Sequence, residues 1–148
     1  MADDLDFGVE IRVAPIVRDP DGLAMSSRNA YLSAEERPEA LLLHESLRRA
    51  RSLIEDGERD AERLRTEMRN VLARGAALQV DYVDIVETTT LRALRTLHGR
   101  ILLAVAAVIG STRLIDNVVL EVGDAGACEV SLDAARPQVK PGRTNATT

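Results

Sequence analysis

The stretch Ile101–Val122, ILLAVAAVI-GS-TRLIDNVVLEV, decides the fold. Two runs rich in Val, Ile and Leu flank Gly110–Ser111, which reads as the turn of a β-hairpin. The apolar run Ile101–Gly110 is too short to cross a bilayer, so no membrane span is expected. Upstream, Val80–Glu87 (VDYVDIVE) is β-rich and partly alternating, and makes a third strand.

Further upstream the period changes from two to between three and four. Ala40, Leu43, Leu47, Ala50 and Ile54 describe one face of an amphipathic helix. Ser33 and Glu36, in S-A-E-E, form a capping-box pair at its start, and Gly57 is its stop. A second helix starts near Asp60, carries Ala61, Leu64, Met68 and Val71 on one face, and ends near Gly75. Two helices on a small, mostly antiparallel three-stranded sheet make an α+β layer domain over residues 33–122. Residues 8–17 (GVEIRVAPIV) read as one more strand, limited by Pro15. Residues 123–148 have neither period and are expected to be a disordered tail.

Composition narrows the function classes. Hydrophobic residues make up 45% of the 148 and charged residues 29%, ordinary for a globular domain with a real core. Aromatics are only 2%, so Leu, Val, Ile and Ala must build that core. The net charge of −5 argues against nucleic-acid binding. Lys140 is the only lysine among 19 basic residues, and Cys128 is the only cysteine, so no intramolecular disulfide can form. With an acidic start that lacks an apolar segment, these features predict a cytoplasmic protein.

The segment that carries chemistry is Pro15–Asn29, PIVRDPDGLAMSSRN. Its Asp, Pro, Gly and Ser content marks a loop with a turn at Pro20–Gly22. Met25-Ser26-Ser27-Arg28 sets two hydroxyls beside a guanidinium, and both group types bind phosphate oxygens. Alone, Ser-Ser-Arg is a weak signal, and a solvated, helix-capping loop is the better reading of it. The longer string, V-R-D-P-D-G-L-A-M-S-S-R-N-A-Y-L, resembles a segment of pantothenate synthetases (pantoate–β-alanine ligases). That segment is the family's counterpart of the KMSKS loop of nucleotidyl transferases. Thr112–Asn117, T-R-L-I-D-N, and Val80–Ile85, V-D-Y-V-D-I, are similar to later motifs of the same family.

The resemblance covers about residues 8–122 and implies specific chemistry. Pantoate and ATP, with Mg²⁺, would give a pantoyl adenylate and pyrophosphate, after which β-alanine displaces AMP. It implies that Met25, Ser26, Ser27 and Arg28 bind ATP, and that the backbone of Val17 meets the adenine. It implies a C-terminal lid closing over a Rossmann-like domain, and a homodimer. The family's H-x-G-H is absent, because His44 and His98 lie in other contexts, and the nucleotide-segment lysine is absent as well. The chain is therefore expected to be truncated, with residues 1–32 left from the Rossmann-like half, and inactive alone. His44 is expected to be a partly buried structural histidine, and His98 a solvated loop residue. The other class of function is a self-associating interaction module without catalysis. Asp116–Asn117 helps fix the hairpin in the family reading, reads equally as a plain turn or edge-strand pair from the residues alone, and is not taken as a site. Asp81, Asp84 and Glu87 read as a solvated edge, since spacings of three do not share a strand face.

Overall fold

A computed structural model describes residues 16–123 and 126–130. The element order is a 3₁₀ turn Ser27–Tyr31, α1 Glu36–Glu55, α2 Ala61–Leu72, β1 Leu78–Glu87, β2 Gly99–Ile109, β3 Thr112–Gly123 and β4 Gly126–Glu129. The sheet is antiparallel throughout, in the order β1-β2-β3-β4. The α+β architecture matches the expectation, but the sheet has four strands where three were expected. The fourth corrects the reading of 123–148 as tail: Gly123 pairs with Gly126 and Leu120 with Glu129. Cys128 is exposed on it.

Both helix starts follow from local chemistry. The Ser33 hydroxyl accepts the Glu36 N–H at 3.1 Å, and the Glu36 carboxylate accepts the Ser33 N–H at 2.9 Å. These reciprocal bonds satisfy donors that a helix start leaves orphaned. Asp60 caps α2 by accepting from the N–H groups of Glu62 and Arg63. At the end of α1, Gly57 takes a φ of +99° and stops the helix.

All five residues of the α1 face, Ala40, Leu43, Leu47, Ala50 and Ile54, are buried. In α2, Ala61, Leu64 and Met68 are buried as expected; Leu72 completes the stripe, and Val71 is only partly covered. The helices pack on each other and on the sheet, where Ile85, Leu103, Val105 and Leu120 meet them. The polar helix faces carry ion pairs, among them Arg49–Glu67, Arg51–Glu55 and Arg65–Glu62. Such exposed pairs contribute about 0–1 kcal/mol each.

A bulge between Val80 and Tyr82 shifts the β1 register, leaving Asp81 outside the ladder. Its carboxylate accepts from Arg113 at 2.7 and 2.8 Å. Glu87 caps the turn after β1 by accepting from Thr89 and Thr90, which holds its pKa down at about 2. Asp84 is exposed, so these three carboxylates have separate surroundings. The strand expected over 8–17 lies mostly outside the described residues; its last two, Ile16 and Val17, are not in a strand. Among the described residues, no helix is long and apolar enough to cross a membrane.

Candidate functional site

The loop from Val17 to Tyr31 is held at both ends and in the middle. Its turn forms where expected: the Gly22 N–H donates to the Asp19 carbonyl at 2.9 Å, and the Asp19 N–H to the Leu23 carbonyl at 2.8 Å. Gly22 sits at φ +98°, a conformation that costs glycine little. It also lies against His44, where an added Cβ would come within 2.9 Å of Cδ2. Leu23 drops into the hydrophobic core. Arg37 of α1 grips Asp19 at 2.8 Å and Asp21 at 2.7 Å, and this guanidinium pulls the Asp21 carboxyl below its ordinary pKa.

The innermost anchor is Arg18. Its guanidinium meets Asp116 of β3 through two bonds, at 2.7 and 3.0 Å, and also donates to the Gly22 carbonyl at 3.2 Å. Asp116 is 3% exposed, a buried carboxylate in a mostly apolar sheet. Its Oδ1 also accepts the Asn117 N–H at 2.7 Å, so the charge is well satisfied. His44 Nδ1 lies 4.0 Å from Asp116 Oδ2. Burial first, and then the Arg18 charge, lower the His44 pKa against the opposing pull of Asp116. His44 is thus partly buried, as expected, and His98 is exposed.

Beyond these anchors lie the residues singled out in the sequence. The Met25 N–H donates to the Val17 carbonyl at 2.8 Å, which draws Met25 back onto the start of the loop. Val17 and Met25 remain 66% and 60% exposed. Ser26 caps the 3₁₀ turn: its hydroxyl oxygen accepts the Arg28 N–H at 3.2 Å, leaving its own proton free to donate. Asn29 Nδ2 donates to the Ala24 carbonyl at 3.0 Å and closes the turn from the other side. Ser26, Ser27 and Arg28 all face solvent.

Met25, Ser26 and Arg28 line a cavity of about 290 Å³, walled opposite by Leu114, Ile115 and Asn117 of β3. An adjoining hollow of about 430 Å³ is lined by Arg28, Tyr31, Ser111, Thr112 and Arg113. Two guanidiniums, Arg28 and Arg113, therefore border both spaces. Arg113 is oriented by Asp81 and lies over the Tyr82 ring, 5.9 Å from its centroid. The arrangement suits an anion flanked by an apolar group.

Val17, Met25, Ser26, Ser27 and Arg28 lie on one continuous loop. Arg18, Arg37, Arg113 and Asp116 were not singled out as site residues in the sequence. Asp116 left a signal nonetheless. It lies in phase with the buried Thr112, Leu114 and Leu120, so the strand period points a carboxylate inward. It is therefore not a turn residue: it stands within β3 with its carboxylate buried.

Comparison with known proteins gives a consistent result. A family model described as pantoate-beta-alanine ligase matches residues 1–119. The pantothenate synthetase of Thermotoga petrophila is 50% identical over 120 residues, which cover 81% of this chain and 43% of that protein. The enzyme of the same name from Moorella thermoacetica is 48% identical over 124 residues, covering 84% and 44%. The crystal structure of pantothenate synthetase from Thermus thermophilus superposes with a TM-score of 0.74 at 37% identity, over 78% of this chain and 42% of that one. The chain thus spans about two fifths of the length of the curated relatives it matches. On the strength of this match, the chain belongs to the pantoate–β-alanine ligase family.

Proposed function

We propose that this chain provides the ATP-gripping lid of a pantoate–β-alanine ligase. In that reaction the pantoate carboxylate attacks the α-phosphorus of ATP, forming pantoyl adenylate and expelling pyrophosphate. The β-alanine amine then attacks the acyl carbon and AMP leaves. The observation that carries the reading is the solvent-facing run Met25–Arg28, held on a loop fixed to α1 and β3 and opening on a cavity beside a second arginine. Ser26 and Ser27 would donate hydrogen bonds to phosphate oxygens. Arg28 would meet two oxygens at once and offset the charge that grows as pyrophosphate departs. Because the loop is held in place beforehand, little reorganisation would accompany that step. The Val17 backbone, drawn to Met25, would face the adenine.

Among the described residues, no group of three or more His, Cys, Asp or Glu could hold a metal ion. Mg²⁺ is therefore proposed to arrive on the nucleotide rather than on a protein cage. The 148 residues contain no H-x-G-H, and Lys140 lies outside the family match. The pantoate pocket and the remaining phosphate contacts are proposed to come from a facing domain, without which this lid is inactive.

The test is a calorimetric titration of MgATP into the chain and into Arg28→Ala. Saturable binding that the variant weakens by about 1.5–3 kcal/mol, the range for a hydrogen bond to a charged group, supports the reading. Equal binding by both proteins would defeat it. Pantothenate formation by the chain alone would overturn the inactivity.

A second reading, self-association without catalysis, is favoured by the apolar rim of the cavity. Met25 and Ile115, which line it, are 60% and 51% exposed, and Val17 and Tyr31 of the same loop are 66% and 75% exposed. Concentration-dependent dimers in sedimentation equilibrium, lost on Ile115→Ser, would support it. A monomer at all concentrations would remove it.

A further inference from the structure

We infer that the Arg18–Asp116 pair is a strut that sets the position of the nucleotide loop, and that these two are positioning residues for the proposed ATP site. This rests on the reading of Met25–Arg28 as that site. Three observations carry the inference. Asp116 is 3% exposed and stands on β3, which forms the far wall of the cavity that the loop lines. Arg18 adjoins Val17, whose carbonyl holds the Met25 N–H, so a displacement of Arg18 is passed to the first residue of the Met25–Arg28 run. The same guanidinium also holds the Gly22 carbonyl, which ties the turn to the strut. The pair therefore fixes the gap between the two cavity walls, one on the loop and one on β3. Bidentate geometry fixes orientation as well as distance, which a single-point contact would not.

Removing one partner would strand a charge and could unfold the domain. The decisive variant therefore replaces both, Arg18→Met with Asp116→Leu, because an apolar pair of similar volume often keeps stability. Amide hydrogen exchange read by NMR is compared between loop amides (Gly22, Leu23, Met25) and core amides (Ile85, Leu103, Val105). The expected result is loop exchange about tenfold faster with core exchange unchanged, and weakened MgATP binding. Loop protection equal to the parent's would overturn the strut. So would acceleration shared equally by loop and core, since that marks a general loss of stability. Arg18→Lys, which keeps the charge but not the fork, is expected to fall between the two. If the parent itself fails to bind MgATP, the nucleotide reading fails while the exchange comparison still decides the strut. If exchange quickens but MgATP affinity does not change, the strut does not position the ligand site and the inference fails.

Discussion

Gly22 shows how one residue can constrain a site. Its φ of +98° excludes most side chains, and the imidazole of His44 stands where a Cβ would go. Gly57 has nearly the same φ, +99°, with nothing within 4 Å of an added Cβ. The two glycines separate backbone strain from steric conflict. Gly57→Ala is expected to cost about 1 kcal/mol from strain alone. Gly22→Ala should cost about 1–2 kcal/mol more, because His44 must move and the Arg18 bond to the turn carbonyl moves with it. Urea denaturation of both variants checks this, and equal losses would mean that the His44 contact yields freely. The glycine was legible in the sequence as a turn residue, whereas its neighbour was not. His44 lies twenty-two positions on, and only the packing of α1 against the loop brings the two together.

At the scale of elements, legibility followed the strength of the local signal. Helix α1 could be read because its capping box and its apolar spacing are both local, and both appear in the fold. The capping box predicts a measurable loss: Ser33→Ala should destabilise the domain by about 1 kcal/mol, seen as a fall in Tm. An unchanged Tm would mean that the first turn frays regardless. Strand β4 escaped the reading because Gly126–Glu129 is four residues long and rich in small side chains. Its only local hint is the two-residue spacing between Gly123 and Gly126, which suits a tight hairpin. The Met25–Arg28 loop, whose phosphate role is a proposal, was legible from residue chemistry and from family likeness. Its anchors were not, since Arg18 and Asp116 lie 98 positions apart.

At the scale of the whole molecule, the pKa shifts predict a response to acid in two stages. The folded state lowers the His44 pKa, chiefly through burial, so the unfolded chain takes up that proton first. Stability should therefore fall as pH drops through about 6.5, and this loss is complete once pH lies below the folded pKa. The carboxylates act lower. Asp21, Glu58 and Glu87 all have depressed pKa values, Glu87 at about 2, so their contributions are full above the ordinary carboxylate range, begin to fall as pH enters it, and are lost only as pH falls through the lowered folded values. Denaturation midpoints measured from about pH 8 to pH 3 should show both stages. His44→Gln should erase the upper stage and leave the lower one. An upper stage that persists in the variant would assign it to other groups.

The Arg18–Asp116 link also has a consequence in time. A ribosome makes the loop first and its buttress 98 residues later. At translation speeds of about 5–20 residues per second, the wait is roughly 5–20 s, and the tunnel adds to it. Throughout that interval the nascent chain carries the Met25–Arg28 sequence without the strand that orients it. The geometry proposed for gripping a nucleotide would therefore be completed late in synthesis, when β3 emerges and the loop is locked by a strand made long after it.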